Sequence, residues 1–352
     1  MRLINLFVLI LIAYGCGKDN PDKNIPSLPA NQLKLLVLNE GLFQQNNASL
    51  SLVNLTTVEV FADVFSQINN RFLGDTGNDL VQYGGKIYVV VNNSNTIEVL
   101  DAKSLVVQKQ ISMQTSTGGK QPRNISCGNG KLFVTCFDGF LDVIDTTSLV
   151  VEKRIPVGLN PEDVLVTNGK IVVTNSGGLN FPQADSTVSV IDLNSLTELG
   201  RITVGKNPGM LIADNTGFVY AVARGNYGSI PSRMVRIDLT NFTASVPYSF
   251  PVSAVYAFKD QFIVHAFDYN NNLSSISLFD PQAQQIVSSN FIDVNQFSTL
   301  YGIYYSPKTE RIYCADAMNY TNTGYIKQFT VLGQFEKSFH VGLNPNKMLM
   351  IE

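Results

Sequence analysis

Tryptophan is absent, histidine occurs twice, and only 15% of the 352 residues are charged. A net charge of −3 and a pI near 5.5, with no basic run, leave no electrostatic footprint for nucleic acid. No CxxC pair or neighbouring histidine accompanies the cysteines, so the usual zinc spacings are missing. GxSxG, HExxH, P-loop and CxxCH motifs are missing as well, which removes the common hydrolase, metalloprotease, nucleotide and haem signatures. Apolar residues at i, i+3 and i+4 are not sustained anywhere, which argues against a helical solenoid.

The N-terminus has a different character. Arg2 gives a positive start, and Leu3 to Ile12 is apolar apart from Asn5. So short a run suits the h-region of a signal peptide rather than a bilayer span. Ala13-Tyr14-Gly15-Cys16 follows and looks like a lipobox, although Ala13 and Tyr14 depart from the usual Leu-Ala/Ser start. On this reading residues 1–15 are a lipoprotein signal peptide, Cys16 carries the lipid, and 16–32 form a tether with three prolines. An ordinary signal followed by a chance cysteine is the alternative. Gly17 stands where an inner-membrane-retained lipoprotein carries Asp, and Lys18-Asp19 resembles the export tag of surface lipoproteins in some Gram-negative bacteria. The expected location is therefore the outer membrane, at the cell surface. Cys127, Cys136 and Cys314 remain, an odd number that makes no disulfide framework, and they read as small core residues.

Internal repetition sets the fold class. SLSLVN (49–54), TIEVLD (96–101), FLDVID (140–145), TVSVID (187–192), MVRID (234–238), SISLFD (275–280) and YIKQFT (325–330) recur about every 46 residues. Seven units of that length with period-two alternation predict an all-β fold, a seven-bladed β-propeller over 33–352 with four antiparallel strands per blade. Blade four shows the grammar: strands at 162–166, 170–174, 187–192 and 199–204, with Asn168-Gly169 as a two-residue hairpin turn. Gly84-Gly85, Asn129-Gly130, Asn215-Thr216-Gly217 and Lys259-Asp260 are equivalent turns. Asp101, Asp145, Asp192 and Asp238 close the third strands and are read as turn caps, not catalytic acids. Blade one has only LKLLVLN, SLSLVN and VEVFADVF; the C-terminal NPNKMLMI is expected to supply its missing innermost strand.

The two faces differ. Turns from first to second and from third to fourth strands are tight, whereas 40–48, 175–186, 223–232, 266–274 and 315–324 are long and rich in Asn, Gly, Tyr and Phe. Connections 69–78 and 113–122 join them on the same face. Aromatic planes beside neutral amides suit a large, mostly uncharged ligand.

KIVVTNSGG (170–178) followed by TVSVIDL resembles the YVTN-type repeat of YncE-like seven-bladed propellers, a likeness that covers residues 33–352. LVLNEG (36–41), LGDTGNDLVQYGGKIYVVVNNSNTIEVLDA (73–102), PEDVLV (161–166) and NSGG (175–178), with the lipobox, resemble BtuG-like cobalamin-binding surface lipoproteins that sit beside TonB-dependent transporters. That resemblance implies capture of a corrinoid and its delivery to an outer-membrane transporter. Loop position then makes Asn92, Asn93, Asn175 and Asn319 candidates for the ring's amides, and Phe137, Phe181, Tyr227, Tyr269 and Tyr320 candidates to cover its apolar face. Arg71 or Arg224 would meet the phosphate of the nucleotide tail.

Rival classes stay open. Propellers also host lactonases and quinone-dependent dehydrogenases, but His265 falls inside the strand FIVHAFD and His340 just before VGLNP, both structural positions, so no catalytic residue and no cofactor is expected. A calcium site of Asn and Asp oxygens stays open, since such ligands need no fixed spacing. An adhesive or scaffolding propeller using the same face for a protein or glycan is the other alternative, although the lack of Trp counts against glycan stacking. A monomer is the expected state.

Overall fold

The computed structural model describes residues 32–268 and 273–352. Seven four-stranded antiparallel sheets follow one another along the chain, together with one small two-stranded ribbon. They form the seven blades of a β-propeller, as the repeat predicts. The signal peptide, most of the tether, Cys16 and Tyr269 lie outside the described residues.

The ring closes as the C-terminal phrase requires. Pro345–Ile351 pairs antiparallel with Lys34–Asn39, from Lys34↔Ile351 to Asn39↔Pro345, and becomes the innermost strand of blade one. Lys34 and Ile351 thus meet at the place where the other blades make their first hairpin turn. Those turns follow the expected chemistry. Gly84-Gly85, Asn129-Gly130 and Asn168-Gly169 hold positive φ at both positions, the backbone that matches strand twist in a two-residue hairpin. The register places Leu132, not Cys136, opposite Cys127. Asp101, Asp145, Asp192 and Asp238 each accept backbone N–H bonds from the residues two and three further on. Those bonds hold their carboxyls below the usual range.

Burial explains the sequence pattern inside the blades. The core is not central: seven apolar clusters each join two adjacent blades, so it runs around the circumference. Leu36 and Leu38 face blade two, while Leu35 and Val37 face blade seven with Met348 and Met350. A middle strand buried on both sides therefore reads as a continuous apolar run such as KLLVLN. Cys136 and Cys314 belong to these clusters, and Cys127 packs half-buried against one.

Two expectations need correction. VEVFADVF is not a full outer strand: only Val60–Phe61 pairs, and a short helix, Val64–Asn69, follows. Asp63 caps it by accepting from the Ser66 N–H at 3.2 Å, and Val64 and Phe65 plug the blade one–two cluster. The segment 266–274 is not mostly loop, because Gln261–Asp268 and Leu273–Asp280 pair as an extended hairpin down to Asp268↔Leu273.

The closing strand carries two buried methionines, so Met350→Ala is expected to destabilise the whole fold by about 2–5 kcal/mol in urea unfolding. Deleting residues 345–352 is expected to abolish the cooperative transition altogether. A truncated chain that melts like the parent would overturn closure by this strand.

Candidate functional site

The innermost strands surround an axial channel. Each enters from the long-loop face, and six of the seven carry a register shift near that mouth, at 77/79, 122/125, 161/164, 208/210, 300/302 and 345/347. Such irregularities re-aim side chains. Here they turn the second and third residues of each strand, Asn78-Asp79, Arg123-Asn124, Glu162-Asp163 and Asn346-Lys347, toward the channel and the neighbouring blade.

On one half of the ring these residues staple blade to blade. Asn346 donates to the Gly77 carbonyl at 3.0 Å, Asn78 to that of Arg123 at 2.7 Å, and Asn124 to that of Glu162 at 2.8 Å. Asp79 accepts from the Ile125 N–H at 3.0 Å, and Asp163 from the Leu211 N–H at 2.8 Å. Blades five to seven carry Gly209-Met210, Ser253-Ala254 and Tyr301-Gly302 at these positions, with neither amide nor carboxylate. Gly302 instead lets the Asn346 carbonyl approach so closely that an added Cβ would lie 2.3 Å from it.

Three cavities open on that second half. The axial one, about 680 Å³, is lined by Glu40, Arg123, Glu162, Asp163, Tyr301 and Lys347 among others. A second of about 570 Å³ lies between blades five and six, and a third of about 400 Å³ between blades six and seven. Arg224 borders the first two, Phe267 the second and third, and Ser253 the third and the axial cavity. The three form a crescent at the long-loop face.

Charge in the channel is ordered in three groups. Arg123 and Arg224 share one oxygen of buried Glu162, at 2.7 and 3.4 Å. Burial alone would raise the Glu162 carboxyl, but the two guanidiniums override it and hold it below the usual range. Arg224 reaches this position by lying over Gly209, where an added Cβ would meet its Cζ at 2.3 Å. Lys347 pairs with Asp79 at 3.3 Å while its side chain keeps contact with channel solvent. Asp163, near both, is pushed up to about 6, chiefly by burial, with Asp79 adding to the rise and Lys347 opposing it. The Tyr301 hydroxyl donates to Glu40 at 2.6 Å across the blade seven–one junction, and burial raises both groups.

The candidates named from the sequence divide sharply. Arg224, Tyr227 and Tyr320 border the crescent; Tyr227 and Tyr320 are about half exposed, and Tyr320 meets Tyr301 edge-on at 5.7 Å. Phe137 lies at the channel mouth under the Arg123 guanidinium, at 4.7 Å. Others serve the scaffold. Arg71 pairs with fully buried Glu98 at 2.5 Å, and Asn92 donates to the Pro122 carbonyl. Asn175 is fully buried, accepting from the Gly158 N–H and donating to Thr187 and Ser189. The Asn93 backbone N–H donates to Asp75, Asn319 caps its own loop through Thr321 and Asn322, and Phe181 stands exposed on blade four, away from the cavities. His265 borders the third cavity with Nε2 3.0 Å from Ser274 Oγ. Burial lowers its imidazole to about 4, so the ring is neutral at pH 7. Sequence reasoning missed Glu40, Arg123, Glu162, Asp163, Tyr301 and Lys347. Arg123, Glu162, Asp163 and Lys347 share one signal, a charged or amide pair directly after the strand-opening residue, as in PRNI, PEDV and PNKM; Glu40 and Tyr301 carry none.

Two outcomes test this geometry. Gly209→Ala is expected to drive the Arg224 guanidinium off Glu162 at a cost of about 1–3 kcal/mol, read by chemical denaturation. Unchanged stability would mean that Arg224 does not rest there. Asp163 gives a pH signature. Between pH ~4 and ~6 the folded chain keeps a proton that the unfolded chain has released, so stability falls as pH rises through that window. Relative to Asp163→Asn, the parent should lose roughly 1–3 kcal/mol across it and stay level above it. A pH-independent gap between the two would refute the raised carboxyl.

Likeness to other proteins is confined to the fold and the family. A quinonprotein alcohol dehydrogenase-like protein from Bacteroides thetaiotaomicron superposes with a TM-score of 0.64 at 15% identity, over 90% of this chain and 77% of that one. A functionally unknown protein from Desulfotomaculum acetoxidans gives 0.64 at 10% identity, over 91% and 99%. Hydrazine synthase of Kuenenia stuttgartiensis gives 0.60 at 14% identity, over 72% and 76%. No curated protein of known sequence matches significantly. The family model described as "Domain of unknown function (DUF5074)" matches residues 34–338, nearly the whole propeller, and the chain belongs to that family.

Proposed function

We propose that this protein is a ligand-capturing propeller, not an enzyme, and that its long-loop face takes a large, flat, mostly neutral small molecule. The observation that carries this reading is the crescent: three adjacent cavities that share Arg224, Phe267 and Ser253 as wall residues across blades five to seven. Each falls in the size range of small-molecule sites, and together they exceed what a fragment would fill. Tyr227, Tyr248, Phe250, Phe297 and Tyr320 offer ring faces, while serines, threonines and backbone edges offer hydrogen bonds.

A corrinoid fits this chemistry, being broad, apolar across the ring and rimmed with amides. The sequence likeness to cobalamin-binding surface lipoproteins makes it the first ligand to test. The lipobox ending at Cys16 supports a lipid anchor in the outer membrane, and the likeness implies a TonB-dependent transporter as the recipient. A second reading, a protein- or glycan-binding surface propeller, is favoured by the exposed Phe43, Phe72 and Phe181 on that same face.

The test is to mix the full chain with cyanocobalamin, desalt, and read co-eluting corrin absorbance. One equivalent of colour is expected, with loss of affinity in Tyr227→Ala and Tyr320→Ala. A folded, colourless chain would end the corrinoid reading and turn attention to glycan arrays and outer-membrane partners.

A further inference from the structure

The gap between blades five and six has a cause in the sequence. The outermost strand of blade five is only Thr243–Ala244. The following segment, 245–253, contains Pro247 and Pro251, which lack the N–H a strand ladder needs. It therefore keeps only sparse backbone bonds to the third strand, from the Ser245 and Tyr248 N–H groups to the Arg236 and Met234 carbonyls, and borders the cavity of about 570 Å³. Its aromatic wall is braced. Tyr248 stacks on Phe250 with centroids 5.6 Å apart and planes 25° apart, and Phe279 meets Tyr248 edge-on at 5.1 Å. Tyr227 and Phe267 border the same space.

Two arginines line it as well, Arg224 and Arg233, against one carboxylate residue among the described ones, Asp268. Arg224 is only loosely neutralised, at 3.4 Å from a Glu162 oxygen that Arg123 already holds at 2.7 Å. Among the described residues Arg233 forms no ion pair; its stem runs beside Gly205, where an added Cβ would meet its Cδ at 3.0 Å. A planar guanidinium fork matches the oxygens of a phosphate, and the adjacent rings match a flat heterocycle.

We infer that the cavity between blades five and six is a subsite for a flat aromatic group bearing a phosphate, with Arg233 and Arg224 on the phosphate and Tyr227, Tyr248, Phe250 and Phe267 around the ring. This rests on the reading of the long-loop face as a ligand face, but not on the ligand being a corrinoid. The subsite deepens that reading by assigning the anionic end of the captured molecule to one side of the crescent.

Adenosine monophosphate is the probe. The full chain is titrated calorimetrically with adenosine monophosphate, with adenosine and with inorganic phosphate. The nucleotide is expected to bind, and adenosine and phosphate each to bind at least about tenfold more weakly, since a charge-assisted contact and a stacked ring each contribute on that scale. Arg233→Met should weaken nucleotide binding about tenfold at an unchanged melting temperature. If that variant does not fold, Arg233→Lys carries the same test, because it keeps the charge and loses the fork. Silence with the nucleotide, adenosine binding as tightly as the nucleotide, or an Arg233 variant as tight as the parent overturns the proposal. Nucleotide binding without cyanocobalamin binding leaves the subsite standing and removes the corrinoid; the reverse removes the subsite alone.

Discussion

Everything in this molecule depends on the pairing of Pro345–Ile351 with Lys34–Asn39. The core lies between blades, so no blade has a core of its own. A ring of interfaces is continuous only when its last interface is made. Without the closing strand, Leu35 and Val37 lose Met348 and Met350, and blade seven loses the surface against which Tyr313, Ala315 and Phe339 pack. Loss at one junction exposes the flank of each neighbour, because middle strands are buried on both faces. Sheet edges that would invite pairing with other chains are reduced to the outer strands, which run from two residues in Val60–Phe61 to nine in Phe335–Leu343.

The ring is held unevenly. Amide and carboxylate staples tie the channel side of the junctions from blade one to blade five. From blade five to blade seven the inner strands carry glycine, alanine and tyrosine there, and the cavities open on that side. Staple and cavity are alternatives: a side chain spent on the neighbouring blade's backbone is not available to a ligand. Arg224 belongs to both worlds. It rests on Gly209, touches Glu162 from the stapled half, and borders two cavities of the open half.

The fold was legible in the sequence because its signals are local. Asn-Gly turns, aspartates that cap the next turn, and a repeat near 46 residues each specify a piece of backbone without reference to distant residues. Where pairing decides, legibility fell. VEVFADVF alternates like a strand, but Asp63 caps a helix whose Phe65 fills the blade one–two cluster. AFDYNNNLS looks like a loop, yet its flanks extend a hairpin. The site was legible by face but not by residue. Arg71, Asn92 and Asn175 sit in the right segments and point into the scaffold, because a loop position does not fix a side chain's direction. Arg123, Glu162 and Lys347 were hidden inside strands, where period-two alternation predicts a packed residue and the register shift at the mouth reverses that expectation.

The pairing that closes the ring also sets a direction. Lys34 lies opposite Ile351 at the short-turn end of its strand, whereas Asn39 lies at the cavity mouth. The described chain therefore enters and leaves the propeller by the face opposite the crescent. Anything joined ahead of Lys34 or after Ile351 therefore meets the propeller from behind, like the mount of a dish antenna. An attachment made there leaves the front aperture, on which the cavities open, unshaded, because neither Lys34 nor Ile351 lies across it.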